Sequence, residues 1–159
     1  MTDLDAIRRV IALYAQLLDA KRLAEWGELF AEDAIFDVFG RRLTGRAEIV
    51  REIGAMQPAA PLKHAVFAPI IELDAPHRAR RKPRRSSAAR NAGSARVKFA
   101  RAWTDFATFA QGGASIAIAN FATYHDVLAK QGGRWRIAQR TIVSPGEPPP
   151  ESVGAVPGY

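Results

Sequence analysis

The stretch from Tyr14 to Ile49, YAQLLDAKRLAEWGELFAEDAIFDVFGRRLTGRAEI, constrains the fold more than any other part of the chain. It reads as the end of a long amphipathic helix, a short helix closing on Leu29-Phe30, one strand, a glycine turn and a third helix. That order builds a helix-lined pocket against a sheet, with Tyr14, Asp19 and Asp37 in or near the place where the two meet. Upstream, Leu4, Ile7, Ile11, Tyr14 and Leu18 recur at three- and four-residue spacing and form one apolar helical face. Val10, Leu13 and Leu17 widen that face, so the helix is substantially buried. Thr2 or Asp3 can cap its start, and Asp5 suits the first turn.

Beyond the third helix, which runs to about Ala55 with Ile49 and Ile53 inward, Pro58 and Pro61 mark an exit. The chain then turns to strands. Leu62 to Leu73 is rich in β-formers, although Pro69 demands a bulge or an edge. Val97 to Ala110, Ser115 to Lys130 and Arg134 to Val143 are three more strands, joined by hairpin turns at Gln111-Gly112-Gly113 and Gln131-Gly132-Gly133. Helices segregated early and hairpin-paired strands later mean an α+β fold. The expected architecture is a cone-shaped α+β barrel, three N-terminal helices packed against a curved, mostly antiparallel sheet. Residues 1–143 form its single domain. The ending, SPGEPPPESVGAVPGY, reads as an irregular or mobile proline-rich tail over 144–159.

Length and composition narrow the function. The 159 residues suit one domain with a sizeable core. With no cysteine, thiolate zinc sites, disulfides and cysteine nucleophiles are excluded. No apolar run is long enough to span a membrane, and the first ten residues lack a signal-peptide pattern. A cytoplasmic location is the expectation. The net charge of +7 invites a nucleic-acid reading. Yet residues 75–95 hold Arg78, Arg80, Arg81, Lys82, Arg84, Arg85 and Arg90 and no acid. Setting those 7 apart from the 23 basic residues leaves 16 against 16 acidic ones. The excess sits in one insert, and no general basic surface is implied. The insert has no apolar periodicity, and structureless loops beyond about 12–15 residues are uncommon in compact domains. It reads first as a disordered loop. The alternatives are a basic arm, which lacks the interleaved aromatics that base stacking wants, and a local frameshift in a GC-rich gene.

Several short motifs, in order, resemble the SnoaL-like branch of the nuclear-transport-factor-2-like superfamily. They are Tyr14 to Asp19, Trp26 with Leu29 to Ala34, Gly45-Arg46 with Glu48-Ile49, Lys63-His64, Tyr124-His125-Asp126 and Gly133 to Ile137. They span about residues 4 to 143 apart from the insert. The superfamily includes ketosteroid isomerases, scytalone dehydratase, limonene epoxide hydrolase, polyketide cyclases and proteins with no catalysis, so fold alone does not name a reaction. Tyr14 falls where the ketosteroid isomerases have an oxyanion-hole tyrosine. Their base falls at Val38, one place from Asp37 and hence on the opposite strand face. The helix-one aspartate and first pocket histidine of scytalone dehydratase fall at Asp19 and His64. Its second histidine falls near Trp103 to Asp105, where there is none, and its asparagine at Tyr124. The Arg-x-Asp of the epoxide hydrolases is absent from the matching strand.

The resemblance implies cofactor-free acid–base chemistry: dehydration, isomerisation or cyclisation of a cyclic or polyketide-like apolar molecule. His64 is the acid–base candidate, because imidazole titrates near neutral pH. Asp19 or Asp105 would orient it, and Tyr14 and Tyr124 would polarise a substrate oxygen. Val38, Trp26, Ile53, Trp103, Asn120 and Ala122 would surround the substrate, with Trp103, Asp105, Asn120, Ala122 and Tyr124 expected on one sheet face. The dehydratase-like version requires His64, Asp19 and Asp105 to converge on one cavity. Blander readings stand beside these. In them His64 is satisfied by backbone or water, Tyr14 is an aromatic of the apolar stripe, Asp19 pairs with Lys21 or Arg22, and Asp105 faces solvent. His125 alternates away from Tyr124 and is read as outside the pocket. His64, His77 and His125 lack metal-ligand spacing. No metal or cofactor, a homodimer or trimer through the outer sheet face, and neither a membrane nor a nucleic-acid partner complete the expectation. The competing class is a non-catalytic ligand-binding or protein-interaction domain.

Overall fold

In a computed structural model, residues 1–73, 98–112 and 114–157 are described; the basic insert at 75–95 lies outside them. Helix α1 spans Asp3–Asp19. Thr2 starts it: its Oγ1 accepts from the Asp5 backbone N at 3.1 Å, and the Asp5 carboxylate accepts from the Thr2 backbone N at 3.3 Å. This reciprocal cap satisfies two donors that a helix start leaves open. The apolar stripe buries Ile7, Val10, Ile11, Tyr14, Leu17 and Leu18. Helix α2 is shorter than expected, Leu23–Gly27, because Leu29 and Phe30 already turn into strand β1, Phe30–Val38. A short strand that the sequence reading lacked, β2 at Arg41–Thr44, hairpins back onto β1. Helix α3, Arg46–Met56, follows Gly45, whose φ of +88° and N–H bond to Ala34 O at 2.7 Å turn the chain at a conformation other residues avoid.

The expected strand from Leu62 to Leu73 is two strands, β3 at Leu62–Val66 and β4 at Ile70–Leu73, parted around Pro69. Both pair antiparallel with β5, Lys98–Gly112, at successive places along it. Strands β6, Ser115–Gln131, and β7, Arg134–Val143, complete the hairpins. The sheet order is β2-β1-β7-β6-β5-β3, with β4 beside β5. Only the β1–β7 pairing is parallel among the described strand pairs. The sheet is curved and not closed, with α1 against β3 and β7 and α3 against β1 and β2. Between helices and sheet lies the core, centred on Ile7, Ile11, Trp26, Phe30, Phe36, Ile49, Leu128 and Ile137. No described helix is long and apolar enough to cross a membrane.

Residues 144–157 contain no helix or strand, as the prolines imply, but they are docked on the domain. Val153, 1% exposed, packs with Trp103 and Val127 on the outer sheet face. Trp103 Nε1 donates to Gly154 O at 3.1 Å, Arg101 Nη1 to Val153 O at 3.1 Å, and Gln139 Nε2 to Ser152 Oγ at 2.8 Å.

Candidate active site

The inner end of the cone holds a cavity of about 210 Å³. Helix α1 supplies Tyr14 and Leu18, β1 supplies Phe36 and Val38, α3 supplies Ile53, and β3 supplies Leu62 and His64. Strands β5 and β6 add Phe106, Thr108, Asn120 and Tyr124. The wall is mostly apolar, so the polar groups that reach it are few.

Asp19 stands on the last turn of α1, where the helix dipole disfavours a carboxylate. Three donors compensate it. The His64 backbone N lies 3.1 Å from each oxygen, His64 Nδ1 lies 2.6 Å from Oδ1, and Lys63 Nζ lies 3.0 Å from Oδ2. Both the Asp19 and His64 side chains are 8% exposed. A carboxylate only accepts, so Nδ1 carries the shared proton, and in the neutral form of the ring the lone pair is on Nε2. The imidazole is thereby held in the tautomer that a general base needs, on a wall of the cavity. The cross-element bond comes from register: β3 brings the backbone N–H of His64 to the end of α1.

Behind the opposite wall lies a buried ion pair that the sequence reading missed. Arg140 and Asp126 are both fully buried and joined by two bonds of 2.7 Å. The guanidinium carbon lies 3.9 Å from the ring centres of both Tyr14 and Tyr124, a cation held between two aromatic faces. Burial works against the Arg140 charge, but Asp126 and the two tyrosines outweigh it and raise its pKa. Burial raises the Tyr14 pKa against the pull of Arg140, and it raises that of Tyr124 further, helped by Tyr14. Both phenols are therefore neutral hydrogen-bond donors across the physiological range. Phe106 stacks on Tyr124 at 3.9 Å and 2°, and His64 lies over Phe106 at 6.5 Å.

The predicted residues divide accordingly. His64, Tyr14, Tyr124, Val38, Ile53 and Asn120 line the cavity, and Asp19 supports it through His64. Trp26 sits one layer deeper, fully buried, with its ring 5.3 Å from that of Tyr14. Ala122 is buried beside the cavity, opposite Phe106 on the neighbouring strand. Trp103 and Asp105 are corrections. Trp103 pairs with His125, and Asp105 with Thr123, on the outer face, whereas Thr104 pairs with Tyr124. A bulge between Thr108 and Phe109 in the β5–β6 register is the cause. Counted straight from the hairpin turn, Trp103 would oppose Tyr124; one extra residue on β6 reverses the faces. Asp105 therefore does not join Asp19 and His64, and the three-residue dehydratase-like constellation is not formed. Asp37 pairs with Arg42 at 2.7 and 2.9 Å, away from the cavity, and Val38 takes the inward place.

The hidden Asp126–Arg140 pair has the same origin. Counting from the Gly132-Gly133 turn sets Asp126 against Gln139, and a bulge between Val127 and Leu128 moves it to Arg140. No local signal marked it, because Arg140 shares its parity on β7 with the surface residues Arg134 and Arg136.

The comparisons with known proteins agree with this architecture. No curated protein matches the chain. Among solved structures, a function-unknown protein from Mycobacterium tuberculosis is similar at a TM-score of 0.68 and 21% identity, covering 88% of this chain and 70% of that one. An NTF2-like protein with a cystatin-like fold from Novosphingobium aromaticivorans gives 0.66 and 19%, covering 91% and 83%. The protein called "putative scytalone dehydratase" from the same organism gives 0.67 and 15%, covering 99% and 95%. At such identities the likeness is one of fold. The profile of the SnoaL-like domain matches residues 1–141, nearly the whole of the helices and sheet described above, and the chain belongs to the SnoaL-like family.

Proposed function

We propose that the protein is a cofactor-free enzyme of the cytoplasm that moves a proton on a small, cyclic, mostly apolar molecule. One observation carries the reading: a histidine held by a buried aspartate on the wall of an apolar cavity. His64 Nε2 takes a proton from a carbon next to a substrate carbonyl, and Asp19 stabilises the imidazolium that forms. Tyr14, neutral and backed by the Tyr124 hydroxyl that donates to it, donates to the oxygen on which charge develops. His64 then returns the proton at a second atom. A single group that takes and returns a proton serves isomerisation or ring closure. The likeness in fold to the protein named for a scytalone dehydratase keeps dehydration within the same chemistry, with Asp19–His64 as its only acid–base pair. As to size, a dry cavity of about 150 Å³ holds benzene, so 210 Å³ suits one substituted ring, with any larger part at the cavity mouth.

The test is a panel of enolisable cyclic ketones and hydroxy-ketones, followed by deuterium uptake from solvent. His64→Ala is expected to lower exchange on an accepted compound by about 10²–10⁴-fold. Exchange that is equal in wild type and His64→Ala removes the acid–base role, and saturable binding without exchange favours a ligand-binding domain of the same fold.

The outer sheet face supports a second copy as partner. Ile116, Ile118 and Phe121 are 73%, 66% and 50% exposed on β6, beyond the reach of the docked tail. Apolar exposure of this kind in one strand marks an interaction surface.

A further inference from the structure

A second and larger cavity, about 510 Å³, lies on the other side of the sheet, between its outer face and the C-terminal tail. Trp103, Asp105, Thr123 and His125 form its floor, Ile70 one side, and Glu147, Pro149 and Val156 of the tail the other. Its charged groups are of one sign. Asp105 is exposed and accepts from Thr123 Oγ1 at 2.7 Å through Oδ1. Glu147 is exposed and accepts from the Ser144 backbone N at 2.8 Å. Neither carboxylate forms an ion pair among the described residues, in a chain whose net charge is +7. His125 is 4% exposed, and its Nδ1, a buried polar atom on the cavity floor, has no hydrogen-bond partner. It is a polar group that the protein leaves unsatisfied next to the groove. Burial holds the imidazole below its ordinary pKa, against the Gly154 backbone and the Asp126 and Asp105 charges, so it stays neutral and does not repel a cation.

We propose that this groove is a second ligand site, separate from the His64 cavity, that takes a small amine carrying a flat apolar body. The ammonium group sits between Asp105 and Glu147, and the body lies against Trp103, Ile70 and Val156. A neutral or anionic molecule of the same shape would leave two carboxylates facing apolar atoms or negative charge, which is the basis of selection.

Three probes of one shape test this on the full chain: phenethylamine, 2-phenylethanol and phenylacetate. Calorimetry measures affinity, and the indole N–H resonance of Trp103 reports the place. Phenethylamine is expected to bind saturably, to move the Trp103 signal, and to exceed the alcohol by about tenfold or more, with phenylacetate weakest. Asp105→Asn and Glu147→Gln, both at exposed positions that do not threaten folding, are expected to bring the amine down to the level of the alcohol. His64→Ala is expected to leave amine binding unchanged, which keeps this result independent of the chemistry proposed for the inner cavity. Equal binding of the three probes, non-saturable binding of the amine, or amine binding untouched by both carboxylate substitutions overturns the proposal.

Discussion

Three side chains decide most of what happens at the scale of single residues. Asp19→Asn keeps an acceptor for the His64 ring but removes the charge that stabilises imidazolium. Proton exchange is expected to fall by one to two powers of ten, about 1.4 kcal/mol for each, with folding nearly intact because the amide oxygen still accepts from the His64 backbone. Arg140 behaves differently. Arg140→Met leaves Asp126 buried without its partner, and unfolding in denaturant is expected to show a loss of about 3–5 kcal/mol. Replacing both, as Asp126→Asn with Arg140→Met, is expected to recover much of that loss; no recovery would count against a buried-charge origin. His125 brings a pH dependence. Its folded pKa is depressed, so between that value and the ordinary one, about 6.5, the unfolded chain binds more protons than the folded one. Stability from this group is complete above the ordinary value and is lost as pH falls through the folded value. Protection factors of the amides in residues 151–156, with the intrinsic slowing of exchange toward acid divided out, are expected to fall on acidification through that window. His125→Gln is expected to flatten the response.

The elements show where a sequence pattern stops being enough. The stripe on α1 was legible because a helix carries its own periodicity, and Asp19 was legible because it ends that stripe. His64 was legible as the start of a strand, although its bond to Asp19 depends on how β3 meets α1. The long β5–β6 hairpin was legible in length and turn. Its faces were not, because a single bulged residue inverts them, and so Trp103 and Asp105 were assigned to the wrong side. Between α2 and α3 the packing is tight enough to test. A Cβ on Gly27 would come 2.6 Å from Val50 Cγ2, on a β-branched side chain with little freedom to move. Gly27→Ala is therefore expected to destabilise by about 1–2 kcal/mol, clash outweighing helix propensity. Gly54→Ala is expected to cost less, because its close neighbour at 2.8 Å is the far end of Leu23. Thermal melts of the two variants, compared directly, check the ranking.

For the whole molecule, the docked tail and the bare half of the outer face divide the sheet surface between them. If the bare half meets a second copy, Ile118→Lys is expected to shift the mass measured by light scattering to that of one chain, with the fold retained by circular dichroism. A wild-type chain that is already monomeric at high concentration would dispose of the idea. The order of elements and the fold class were readable from the chain alone, because they follow from local periodicity; the family and the Asp19–His64 candidates came from the resemblance of short motifs met in order. Tertiary structure alone decided that Asp105 lies outside, that Arg140 is locked beneath two tyrosines, and that the tail closes over the outer face. The first two depend on strand register, which bulges set, and the third on long-range packing; neither leaves a mark in local sequence.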